Sequence, residues 1–332
     1  MRYTMKKFPI TLIIDDSAPF ISTPYFNRNP RVTGDGRPLV PYYPNEAVFD
    51  FADIVEKYEI KGKFSVVPMA GNQGDILNGF EGIDKAQSDA WLDCVRERIY
   101  PSFSICPEVL SHCKAVDLKT GKPLAEREDE WSFSQDRTTL TPYITRAFEL
   151  IRAAGFDSHG ITSPWQFGIE VEKEYNIALS KALYDVYGYK NAYYFLHSRR
   201  NVPNAKPWIA HEEDDRCVVS IPATVYDYFW QTMDTPETGD ELIRKIADSY
   251  ITEDGKGGDI IKELELRAYP ILCTHWQSLC SNGNLTGIRA LREVAKRINE
   301  HLLDRVEWVS FEELLDRVIA DKDSFRTFYK KA

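Results

Sequence analysis

Ile10-Thr11-Leu12-Ile13-Ile14-Asp15-Asp16 is the stretch on which the reading of this chain turns. Its first five residues are apolar or β-branched, the composition of a strand buried on both faces. Two carboxylates then close the run. Adjacent like charges repel and burial penalises each of them, so an uncompensated pair at a strand end is costly. A metal ion or a shared proton relieves that cost, and the pair therefore marks a site at the end of the first strand.

Strand and helix patterns alternate outward from this run. A Pro- and aromatic-rich stretch, 17–45, leads to a helical pattern over Glu46–Tyr58, and Lys63-Phe-Ser-Val-Val67 reads as the second strand. Glycines punctuate the loop that follows, 84–99 reads as a helix, and Ser102-Phe-Ser-Ile-Cys106 as the third strand. The polar stretch 117–136 has the character of an insertion. Ile144, Phe148, Ile151 and Ala154 then mark a helix that Gly155 ends. Further strands are expected at Ser158–Thr162, Ala192–Leu196, Cys217–Ile221, Tyr269–Thr274 and Val306–Val309. Helices are expected at 170–187, 239–251, 258–267, Thr286–Leu303 and Phe311–Ile319.

Such alternation predicts an α/β fold with a parallel sheet under helices. No Pro- or Ser-rich linker divides the chain, and no GxGxxG or Walker A pattern follows the first strand. The expectation is one domain over 1–332, a (β/α) barrel of seven or eight strands with long loops near 17–45 and 117–136, in preference to an open doubly wound sheet.

Composition narrows the chemistry. The chain has 332 residues, 43% of them hydrophobic, enough for a sizeable core. A net charge of -10 argues against nucleic acid as a partner. No segment is long and apolar enough to span a membrane, and MRYTMKKF lacks the pattern of a signal peptide. The six cysteines form no CxxC pair, which suits a reducing, cytoplasmic compartment. The 7 Trp, 18 Tyr and 17 Phe suit stacking on a small, flat ligand such as a sugar, although core packing accounts for most of them. A homo-oligomer stays open.

In (β/α) barrels the reactive groups gather at the C-terminal ends of the strands. By that rule Asp15, Asp16, Glu108, His112, Thr162, Trp165, His197, His275 and Trp276 converge on one rim. Glu108-Val-Leu-Ser-His112 puts a carboxylate and an imidazole on one face of a helical turn. With Asp16 they make a mixed N/O set suited to zinc or another divalent metal, while Pro107 and Glu108 equally suit an ordinary helix N-terminus. His275 at a strand end can act as a general acid or as a structural hydrogen-bonding group. Tyr226-Asp-Tyr-Phe-Trp230 is an aromatic cluster in which Asp227 is a candidate orienting carboxylate. Trp165 is a candidate stacking platform, and either cluster could equally be loop packing.

These pieces, in this order, resemble the polysaccharide deacetylase (NodB-homology) family, carbohydrate esterase family 4. Asp15-Asp16 matches its strand-end carboxylates and Gly62-Lys-Phe-Ser-Val-Val67 its second strand. Glu108-x-x-x-His112 partly matches its H-x-x-x-H motif, and Thr162-Ser-Pro-Trp165 its R-x-P-(Y/W)-G motif. Ile271-Leu-Cys-Thr-His275 matches its late L-x-H motif with one extra residue. The resemblance implies Asp15 as the general base, Asp16 and His112 as metal ligands, with Glu108 in the place of the first metal histidine, and His275 as the general acid. It further implies hydrolysis of an N-acyl or O-acyl group on a carbohydrate. The chain departs from the family at Glu108, at Thr162 where an arginine orients the base, at Ser17 where a glycine follows the carboxylates, and in lacking a clean Asp-x-x-Asp-Trp segment. Arg199 or Arg200 is a candidate for the missing cation. Trp165, Thr162, His197, Trp276 and Asp227 are the residues expected around the substrate. Two other readings stand beside this one: a glycoside hydrolase using paired carboxylates, and a carbohydrate-binding barrel without catalysis.

Overall fold

The computed structural model describes residues 7–20 and 23–326. In chain order its strands are β1 (Phe8–Ser17), β2 (Gly62–Val66), the short pair β3 (Gly74–Asp75) and β4 (Gly79–Phe80), and β5 (Phe103–Pro107). The hairpin β6 (Lys114–Val116) and β7 (Pro123–Arg127) follows. Then come β8 (Gly160–Thr162), β9 (Asn191–Phe195), β10 (Trp208–Glu213), β11 (Arg216–Ser220), β12 (Ile271–His275) and β13 (Val306–Trp308).

One sheet runs β12-β1-β2-β5, with β13 on the early part of β1, and all of its pairings are parallel. A second runs β10-β11-β9-β8, parallel except for the β10–β11 hairpin. Among the described residues the sheets form no continuous ladder of seven or eight strands. Their edges meet at isolated parallel bridges, Glu108 with Thr162 and Val225 with Leu272. The parallel sheet and its helices are therefore present, while a closed ring of ladders is not seen. The acidic stretch that starts at His211 begins on the edge strand β10. The stretch 117–136 holds β7 and the helix Glu128–Ser132.

Strand alternation divides the core in two. Leu12, Ile14, Phe64, Val66, Ile105 and Ile161 pack toward the helices in the larger cluster. Ile13, Cys106, Tyr193, Val219 and Ile271 form a smaller cluster on the opposite strand faces. The helix Phe311–Ala320 adds Phe311, Leu314, Leu315 and Val318 to it. At roughly 1.5–3 kcal/mol per fully buried large apolar side chain, these two layers carry the fold. By the same alternation Asp15, two residues after Ile13, lies on the smaller cluster's side of the sheet, and its register partner on the neighbouring strand is His275.

Candidate active site

Asp15 and Asp16 both line one cavity of about 580 Å³. An unbroken strand would turn neighbouring side chains to opposite faces. The β1–β2 register slips between Ile14 and Ser17, and Asp16 takes a left-handed backbone, φ 62°. This bulge turns the second carboxylate to the cavity. Aspartate tolerates that conformation better than most residues.

Asp16, Glu108 and His112 bring their donor atoms within 4.8 Å of one another. His112 Nε2 lies 2.8 Å from Asp16 Oδ1 and 3.2 Å from Glu108 Oε1. The other oxygen of Glu108 accepts the Asp16 backbone N–H and the Ser65 hydroxyl, each at 2.6 Å. Burial pushes the His112 pKa down, but the two carboxylates outweigh it and hold it well above the ordinary imidazole value. Burial likewise raises Asp16, and the facing imidazolium more than reverses this, to about 2. The donor chemistry, one nitrogen and two carboxylates, with Glu108 braced by the Asp16 N–H and Ser65 and with the buried Nδ1 of His112 left unpaired, fits zinc or a similar divalent ion.

Glu108 and His112 do not share a helical turn. The segment is a bent loop with Val109 at φ 34° and His112 at φ 49°. A β-branched residue at positive φ is costly unless its surroundings over-determine it. Glu128 does so: its buried carboxylate accepts the backbone N–H groups of Leu110 (3.2 Å), Ser111 (2.9 Å) and His112 (2.8 Å), and the Tyr143 hydroxyl (2.7 Å). The stretch 117–136 therefore supplies the clamp for the His112 loop. Nothing in the local pattern of that polar run marked Glu128 out.

The cation beside Asp15 is Lys63, not Arg199 or Arg200. Lys63 is 0% exposed on β2, and its ammonium bonds the Asp15 carboxylate and the Thr162 hydroxyl. Burial pushes Asp15 above the usual carboxylate range, opposed by Lys63. Burial lowers the Lys63 pKa, and the surrounding groups, Asp15 first, together more than reverse this. Thr162 stands where the motif arginine was expected and receives the lysine instead. Arg199 stacks on Trp208 and Arg200 on Tyr226. A lysine next to Phe64 in the strand Gly62–Val66 was the available signal.

At the end of β12, His275 Nδ1 lies 2.8 Å from Asp227 Oδ2, which also accepts from the Ser278 hydroxyl (2.9 Å). That pairing leaves His275 Nε2 as the ring nitrogen for a ligand. Burial lowers the His275 pKa, but Asp227 first, and then Asp16 and Asp15, raise it to about 10. Asp227 is 5% exposed and does not line the cavity, so it orients His275 rather than touching a ligand.

The remaining candidates divide. Trp165 lines the cavity, 38% exposed, its ring 4.3 Å from that of His112. Trp276 lies in the core against Phe51 and Phe64, because the helix Trp276–Cys280 turns it away from the strand end. His197 pairs with Glu172 at 2.6 Å and does not line the cavity. Phe195, Leu196, Cys273, Trp230, Tyr226, Asn27, Arg28 and Arg127, mostly unremarked in the sequence, complete most of the wall.

No family profile and no curated protein matches the chain. Solved structures do. One assigned as a polysaccharide deacetylase, from Mycobacterium smegmatis, aligns at TM-score 0.51 and 14% identity over 86% of this chain and 81% of its own. What is shared with it is the fold. A CE4-family pseudoenzyme from Bacillus anthracis aligns at TM-score 0.41 and 12% identity over 94% of this chain and 66% of its own. A GH57 branching enzyme from Thermococcus kodakaraensis aligns at TM-score 0.44 and 10% identity over 98% and 72%. Among the described residues no helix is long and apolar enough to cross a membrane.

Proposed function

We propose that this chain is a metal-dependent hydrolase that removes an acyl group, such as N-acetyl, from a carbohydrate-type substrate. One observation carries the reading: Asp15 and His275, register partners on adjacent strands, flank a buried set of Asp16, Glu108 and His112 in a single cavity. A divalent ion held by those three residues would polarise the acyl carbonyl and make water a better nucleophile. Asp15, fixed by Lys63, accepts a proton from the attacking water. His275, kept protonated by Asp227, delivers a proton to the departing amine or alkoxide from Nε2. Trp165 and Trp230 offer apolar faces to the sugar.

The paired-carboxylate glycosidase reading is disfavoured because Glu108 has both oxygens committed, to His112 on one side and to Asp16 N–H and Ser65 on the other. The inactive reading drew on the absent arginine and on the loss of one metal histidine; Lys63 supplies a cation at the first place, and Glu108 supplies a carboxylate oxygen at the second.

Metal analysis with acetate release from N-acetylated sugars tests the proposal. Wild type is expected to hold one divalent ion per chain and release acetate, and Asp16→Ala and His112→Ala to lose both. A chain that binds no metal under any loading condition refutes it. Sugar cleavage that survives a chelator would favour the glycosidase.

A further inference from the structure

Two guanidinium groups take no part in the centre above, Arg28 on the cavity wall and Arg200 against the ring of Tyr226, which lines it. Arg28, just past the helix Thr23–Asn27, lines the cavity and lies over the Trp230 ring, 5.8 Å from its centroid. Arg200 lies over the ring of Tyr226 at 4.7 Å. Tyr226 and Trp230 line the same cavity, and Trp230 meets His275 edge-on at 5.3 Å. Both cations therefore sit on the aromatic segment beside the proposed acid. Arg127 makes the opposite case. It stacks on Trp165 at 4.3 Å, next to His112, but Asp129 already neutralises it at 2.8 and 3.1 Å. Among the described residues no carboxylate pairs with Arg28 or Arg200. The recorded hydrogen bond of Arg28 goes to the Val32 carbonyl at 3.3 Å, which fixes the group without cancelling its charge.

In a chain of net charge -10, Asp15, Asp16, Glu108 and Asp227 lie in or beneath this cavity. A negatively charged ligand would be repelled by that floor unless nearby groups offered compensating charge. We propose that the substrate is an acylated sugar acid, whose carboxylate sits on the leaving-group side and is held by Arg28 and Arg200. This rests on the acyl-hydrolase reading, in which His275 faces the leaving group. The chemistry suits the residues: guanidinium binds carboxylate through paired N–H donors, and the aromatic ring beneath fixes its plane while giving the sugar an apolar face.

The test compares 2-acetamido-2-deoxyglucuronic acid with its methyl ester, which has nearly the same shape without the charge. Zinc-loaded wild type is expected to release acetate from the acid with kcat/KM about tenfold or more above the ester, the worth of one charge-assisted contact. In Arg28→Gln and in Arg200→Gln that ratio falls toward one while bound zinc is unchanged. Calorimetry on zinc-loaded His275→Ala measures binding apart from turnover. Acid bound in preference to ester, with the preference lost on adding Arg28→Gln, upholds the carboxylate site even where no acetate is released, and then only the hydrolytic reading fails. Equal handling of acid and ester, or binding of neither, overturns the inference.

Discussion

At the end of β1 a lysine, three carboxylates and a histidine interlock across three strand ends, almost wholly out of water. At the end of β12 one histidine, 32% exposed in its side chain, leans on one buried aspartate and a serine. The first arrangement is a lattice of charges in which each member compensates another, and removing one leaves a buried ion without a partner. The second is a hydrogen-bonded relay open to the cavity, where a change shifts a proton rather than the fold. A site that must both grip a cation and donate a proton is thus built from a rigid half and a titratable half. Substitutions in the two halves should fail differently.

The sharpest break comes from Lys63→Met. It leaves Asp15 buried with no cation and is expected to cost about 3–5 kcal/mol of stability together with most of the activity. Chemical denaturation and acetate release measure the two losses. Lys63→Met combined with Thr162→Arg returns a cation to the same carboxylate from β8 and should recover part of both. A double variant no better than the single one would show that the position of the charge, and not its presence, is what Asp15 requires.

The rigid half was also the more legible in sequence, for a physical reason. An apolar run ending in two carboxylates is a local conflict, visible without knowing what lies across the fold. Lys63 poses the same conflict within β2, yet its partner is 48 residues away, and the family motif puts the cation at Thr162 instead. The Glu108–His112 spacing pointed to the right pair through a helical turn that does not exist, since two left-handed residues bring the side chains together instead. Glu128 was hidden because backbone N–H groups have no sequence signature. Trp276 lies off the rim because the first residue after the strand end is turned inward where a helix starts. The strand and helix order was recoverable from periodicity. How the sheets meet was not, because isolated bridges leave no pattern.

His275→Ala tests the other half. Loss of a positioned general acid should lower the rate by about 10²–10⁴-fold while leaving metal content and denaturation midpoint near wild type. A large fall in bound metal would mean that the two halves are one mechanical unit, and the contrast drawn above would not hold.

A smaller effect is expected at Glu128→Gln, which keeps the volume but turns an amide N–H₂ toward backbone donors. With the His112 loop less firmly held, metal affinity should weaken about 10–100-fold, as for other residues that orient a ligand. Titration with a competing chelator reads this directly. An unchanged affinity with lowered stability would make Glu128 a fold residue alone.

The mildest change is at Asp227→Asn, and its sign follows from protonation. His275 serves as an acid only while protonated, and with Asp227 charged its pKa lies near 10, so activity should persist into alkaline solution. Removing the carboxylate lowers that pKa toward the ordinary value. The alkaline limb of the pH–rate profile should then move toward acid by about 1–3 pH units, with little change at pH 6, where the imidazole is charged in either protein. The same pairing contributes stability that is fully present below the unfolded histidine pKa near 6.5 and is lost as pH rises through about 10. Denaturation midpoints of wild type and variant should therefore converge at high pH and separate at neutral pH. If the alkaline limb stays where it is, the acid is not His275, and the relay at the end of β12 is only a brace for the rigid half.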